Sequence, residues 1–110
     1  MELNDYQKKA LDTALYPEKY KVVYPALGLG NEAGEVMGKI KKWLRGDDGD
    51  GEMSLERKEN LKGELGDVLW YLSVLARDLD LSLDEIAKSN LEKLQSRKER
   101  GTLKGDGDIR

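Results

Sequence analysis

"LGLGNEAGEVM" at residues 27–37 and "NLKGELGDVLW" at residues 60–70 are two copies of one pattern, and their phase decides the fold. Aligned, they pair Leu29 with Leu61, Glu32 with Glu64, Gly34 with Gly66, Glu35 with Asp67 and Val36 with Val68. Each copy sits in the middle of a stretch with helical apolar spacing. At about 100° of turn per residue, both copies put their carboxylates on the same edge of an apolar stripe. A glycine at the same point of each copy weakens the helix by about 1 kcal/mol relative to alanine and allows something to approach closely.

Working outward, four helices can be read, with little strand signal between them. Asn4 with Gln7 makes a capping box that opens a first helix running to about Leu15. "YPEKYKVVYP" at 16–25 reads as an extended or turn-rich connector because of its prolines and clustered aromatic and β-branched residues. The second helix runs from about Pro25 to Leu44, with proline at the first helical position. "RGDDGDGEM" is a polar loop; it lacks the spacing of a calcium loop and reads as solvated and flexible. Ser54 caps a third helix through about Leu79, and Ser82 with Glu85 boxes the start of a fourth that ends near Gly101. The expected architecture is all-α, an antiparallel bundle of four helices per chain, with residues 1–100 as the domain and 101–110 as an irregular tail. The third helix carries a stripe of Leu61, Leu65, Val68, Leu72, Leu75 and Leu79, yet Trp70 and Val74 lie off it. A helix apolar nearly all round is buried on several sides, so the core is expected to be completed by oligomerisation. The alternative is a central helix in a compact monomer.

Composition narrows the chemistry. Charged residues make up 37% of the chain, but their signs nearly cancel at net −3, so no basic field suggests nucleic-acid binding. The chain has no cysteine and no histidine. Thiolate sites, imidazole bases, His-ligated zinc and Ser-His-Asp triads are therefore excluded. No apolar run approaches the roughly 20 residues of a membrane span, and none resembles a signal peptide. A cytoplasmic protein with no membrane partner is expected.

A single Glu pair three residues apart is ordinarily a solvated helix flank. Two matching pairs at one phase of two core helices are a different case. If those helices pack antiparallel, Glu32, Glu35, Glu64 and Asp67 converge and repel unless a cation neutralises them. Oxygen ligands alone select a hard ion, Mg²⁺ first and Mn²⁺ second, and Mg²⁺ commonly shares its shell with substrate phosphates. On the fourth helix Leu83, Ile86, Ala87 and Leu94 define an apolar stripe into which Asn90 and Arg97 intrude, with Lys93 at its margin. Beside the acids these groups would face a phosphate chain; otherwise they form structural ion pairs or lay their stems on the apolar surface.

With "NEAGE", "ELGD" and "NLEKLQSR" in view, the sequence resembles the MazG-like nucleoside triphosphate pyrophosphohydrolases of the all-α NTP pyrophosphatase superfamily. That family carries E-x-x-E, then E-x-x-D, then N-x-x-K-x-x-x-R, matched here by Glu32 and Glu35, Glu64 and Asp67, and Asn90, Lys93 and Arg97. The resemblance covers about residues 5–100. It implies Mg²⁺-dependent cleavage of a nucleoside triphosphate to the monophosphate and pyrophosphate, in a homodimer or homotetramer. Glu32 or Glu35 would take a proton from the attacking water, and Asn90, Lys93 and Arg97 would hold the phosphates. Trp43, on the same edge as Glu32, is either a base-stacking or a core residue. Many members have E-E-x-x-E where this chain has Asn31, which bears on any role for a carboxylate there. The fold and acid motif are shared by phosphoribosyl-ATP and dUTP pyrophosphohydrolases, and a non-catalytic metal-binding assembly module is a reading of another class.

Overall fold

The computed structural model describes residues 1–110 and is all-helical. Helix α1 spans Leu3–Ala10, α2 Val23–Leu44, α3 Leu55–Asp78 and α4 Leu83–Glu99, with single 3₁₀ turns at Leu11–Thr13 and Glu18–Tyr20. No helix is long and apolar enough to cross a membrane.

Two of the helix starts are local affairs. Ser54 Oγ accepts from the Arg57 N–H at 3.1 Å and Ser82 Oγ from the Glu85 N–H at 3.1 Å, each satisfying one orphan donor of a first turn. The start of α1 differs from expectation. Its N-cap is Glu2, whose N–H donates to Asp5 Oδ2 at 3.3 Å. Asn4 and Gln7 are engaged elsewhere. Asn4 Oδ1 accepts from the Asp84 N–H at 3.1 Å and Gln7 Oε1 from the Leu83 N–H at 3.0 Å, so α1 caps the first two residues of α4. The Gln7 amide also donates to the carbonyls of Ser73 and Leu81 at 3.1 and 3.0 Å. One buried side chain thus ties α1 to α3, to the α3–α4 turn and to α4.

Helix α1 stops short of Leu15 because the chain tightens into the first 3₁₀ turn, where Thr13 Oγ1 accepts from Trp70 Nε1 at 2.8 Å. Helix α2 begins two residues before Pro25, which still falls among the first-turn residues that need no N–H partner. Its N-cap, Val22, sits at φ 69°, strained for a β-branched residue. The Val22 N–H donates to Asp78 Oδ2 at 2.9 Å, and the Tyr16 hydroxyl donates to the same oxygen at 2.5 Å. Arg77 Nε completes the buried carboxylate's partners at 3.0 Å. Burial alone would push the Asp78 carboxyl up, but these three donors hold it below the usual range.

Helices α2 and α3 make the main packing interface, and α1 lies against α3 and α4. Across the first interface Gly28 meets Tyr71, and Glu32 meets Glu64 and Asp67. The loop between them is less free than its composition suggests. Asp48 accepts from Arg57 NH2 at 2.8 Å and from the Ser54 N–H at 3.2 Å, and its side chain is almost enclosed. The core is thin: only 9 of 110 residues are buried, Val74 and Ser73 among them. The radius of gyration is 17.0 Å, against about 13 Å for a compact chain of this length. Leu65 and Leu79 of the predicted stripe are 56% and 50% exposed, as are Leu27, Met37 and Leu91 to larger extents.

Candidate metal centre and phosphate-facing residues

The α2–α3 interface brings three of the four predicted acids together. Ligand oxygens of Glu32, Glu64 and Asp67 all lie within 4.8 Å of one another. Glu35, three residues and about 300° beyond Glu32, is exposed and stays outside that set. No lysine or arginine pairs with any of the four acids. The result is visible in Glu32, whose carboxyl is pushed up by burial first and then by the charge of Asp67. Hydrogen bonding and charge from Glu64, and the charge of Glu35, add to this. Acceptor-only groups crowded without a cationic partner fit a hard divalent cation, with Glu32, Glu64 and Asp67 as its holders.

Tyrosines flank these acids. Tyr71 follows Asp67 by one helical turn, as Gly28 precedes Glu32 by one, and its ring fills the space over Gly28. A Cβ built on Gly28 would lie 2.1 Å from Tyr71 Cε1, so only glycine lets the helices approach this closely. At Gly34 and Gly66, by contrast, an added Cβ would meet nothing of the chain within 4 Å, so the close approach within the chain is at Gly28. Tyr71 packs edge-on against Trp70 at 4.9 Å and tilted against Tyr24 at 6.2 Å, and Tyr24 stacks on Tyr16 at 5.0 Å. The Tyr71 hydroxyl is raised above its ordinary range by hydrogen bonding with Tyr24, then by burial, with Glu32 and Asp67 contributing. Tyr6 of α1 is raised by burial and by the Asp67 charge. None of these tyrosines is marked by the acid motif itself; the one legible signal is the i+4 spacing of Asp67 and Tyr71.

The α4 residues lie elsewhere in the single chain. Lys93 Nζ pairs with Asp108 Oδ1 at 2.6 Å, and Arg97 NH2 donates to the same oxygen at 3.1 Å and to the Asp108 carbonyl. Arg97 is buried, Lys93 half-buried and Asn90 exposed. Asn90, Lys93 and Asp108 share the wall of one open cavity. Trp43 is half-buried near the end of α2, eleven residues and about 16 Å along the helix from Glu32.

The MazG nucleotide pyrophosphohydrolase domain model matches residues 26–102, which take in most of α2 and all of α3 and α4 and so contain the four motif acids with Asn90, Lys93 and Arg97. The Gene 37 protein of Mycobacterium phage L5 is 45% identical over 116 aligned residues, covering the whole of both chains. No solved structure matches the chain.

Proposed function

The chain belongs to the MazG nucleotide pyrophosphohydrolase family, and from that premise we propose that it hydrolyses nucleoside triphosphates, ribo or deoxy, to the monophosphate and pyrophosphate. The observation that carries the proposal is the unneutralised set of Glu32, Glu64 and Asp67 inside the matched region. Mg²⁺, with Mn²⁺ as substitute, is the cation this donor set suits, held by those three residues with Glu35 one turn away. When bound it would neutralise charge on the phosphate chain and favour deprotonation of water.

The protein's own groups do the rest. Glu35, outside the crowded set, accepts the proton of the attacking water. The water oxygen bonds to the α-phosphorus as the bond from that phosphorus to the α–β bridging oxygen breaks, and pyrophosphate leaves with the electron pair. Asn90, Lys93 and Arg97 hold the phosphates by charge-assisted hydrogen bonds, and Trp43 stacks on the base. A role in clearing noncanonical or excess nucleotides suits such an activity.

Assembly belongs to the same proposal. The thin core and the exposed leucines of α2, α3 and α4 favour a homodimer or homotetramer whose antiparallel bundle is completed by a second copy. In one chain α4 packs on α1, and in this proposal the second copy is what brings the cations to the acids. The test is release of pyrophosphate from a panel of NTPs and dNTPs with and without Mg²⁺, in parallel with the mass of the particle in solution.

A further inference from the structure

The cations proposed to hold the phosphate chain already hold an anion, and it comes from the protein's own tail. Asp108 presents one carboxylate oxygen to both Lys93 Nζ and Arg97 NH2. The pairing is lopsided: the Arg97 side chain is 5% exposed, whereas the Asp108 side chain is 74% exposed. A deeply set guanidinium is thus neutralised by a group reaching in from solvent. The fit is also incomplete. Arg97 Nε and, at the start of the tail, Thr102 Oγ1 are buried without a partner, a destabilising arrangement. A guanidinium offers a two-pronged fork, and Asp108 does not engage its Nε.

Little else holds the tail. Leu103 is 48% exposed and Ile109 wholly exposed, so apolar packing anchors it only weakly. Its remaining ties are polar: Arg97 NH2 donates to the Asp108 carbonyl, Arg110 to the carbonyls of Thr102, Leu103 and Gly107, and Arg100 to that of Arg110. Gly101 and Gly107, at φ 70° and 80°, make the turns that bend it back on α4. Beside the pair lies an open cavity of about 480 Å³ walled by Ser89, Asn90, Lys93, Glu85 and Asp108, with room for a chain of phosphates.

We propose that the C-terminal tail is a displaceable plug, in which Asp108 occupies the anion seat of Lys93 and Arg97 until a polyphosphate chain ejects it. The inference rests on the reading of those two residues as phosphate-binding. Displacement exchanges one singly charged carboxylate for a multiply charged ligand able to reach both cations and the idle Arg97 Nε. Glu85, on the cavity wall, disfavours an anion beside it and leaves the phosphates to the Lys93 side.

The test is calorimetric binding of sodium tripolyphosphate to the full-length protein without divalent metal, comparing wild type with Asp108→Asn. The variant is expected to bind about three- to tenfold more tightly, since it removes the competing charge from Lys93 and Arg97 while leaving only the Asp108 carbonyl on Arg97. Amide signals of Gly105 and Gly107 should narrow as the wild type is saturated, reporting tail release. Lys93→Gln should weaken binding in both backgrounds. Equal or weaker binding by Asp108→Asn, unchanged glycine signals at saturation, indifference to Lys93→Gln, or binding by neither protein overturns the plug. None of these readouts depends on turnover, so a protein that cleaves no nucleotide would refute the enzymatic reading without altering them.

Discussion

Replacing Gly28 with alanine tests the helix approach on which the acid cluster depends. The new Cβ would sit 2.1, 2.4 and 2.5 Å from three ring atoms of Tyr71, far inside the ~3.5 Å at which carbons rest against one another. The ring cannot simply step aside, because both Trp70 and Tyr24 pack against it. Alanine favours the helix by about 1 kcal/mol, whereas overpacking of this kind costs about 1–3 kcal/mol. The clash offsets or outweighs the helix gain, for a net loss of up to about 2 kcal/mol. Gly34→Ala and Gly66→Ala carry the helix gain with nothing to clash, so each should stabilise by about 1 kcal/mol. Urea unfolding of the three variants separates the cases by sign. Gly28→Ala combined with Tyr71→Ala should be less harmful than the two single losses summed, because removing the ring removes the clash. If Gly28→Ala is as stable as Gly34→Ala, the close approach is not real. If Gly34→Ala destabilises, an unseen surface packs there.

Gln7→Ala removes three hydrogen bonds, two of them buried, and leaves the Leu83 N–H without its partner; a loss of about 2–4 kcal/mol in denaturant unfolding is expected. Asp78→Asn should cost about 1–3 kcal/mol at neutral pH. Because the Asp78 carboxyl is held low in the fold, its contribution is complete above the ordinary Asp pKa of about 3.9 and is lost as pH falls through the depressed value, so wild type and variant should converge in acid. Glu32 has the opposite sign. Its carboxyl is raised, so its contribution is lost as pH rises through the folded value, and metal-free Glu32→Gln should melt higher than wild type by a margin that grows from acid to neutral pH. Saturating Mg²⁺ should reverse that order, as followed by thermal melts.

How much of this was legible depends on whether the signal was local. Ser54 and Ser82 were readable as caps because the bonds they make span three residues. The all-helical class and the conjunction of Glu32 with Glu64 and Asp67 were readable because helical phase fixes which side chains share an edge. Asn4 and Gln7 misled because the same side chains that can cap their own helix instead cap α4, roughly eighty residues away in the chain. Which glycine marks the close approach was not readable, since it depends on where the Tyr71 ring lies across an interface. Asp48 looked like a solvated loop residue, yet its partner Arg57 reaches it only once the α2–α3 turn has closed. The docking of Asp108 on Lys93 and Arg97 is likewise a property of a folded-back tail, with no periodicity to announce it.

The central claim is that the carboxylates at the α2–α3 interface serve hydrolysis of a nucleoside triphosphate. Its most direct test is to incubate the purified full-length protein with each common NTP and dNTP in Mg²⁺ and to quantify nucleoside monophosphate, pyrophosphate and orthophosphate, alongside Asp67→Asn and a chelated control. Monophosphate and pyrophosphate are expected in equal amounts from at least one nucleotide, abolished by chelation and lowered on the order of a hundredfold or more by Asp67→Asn. A folded protein that releases no pyrophosphate from any of them with Mg²⁺ or Mn²⁺, or whose Asp67→Asn variant turns over as fast as wild type, would contradict it.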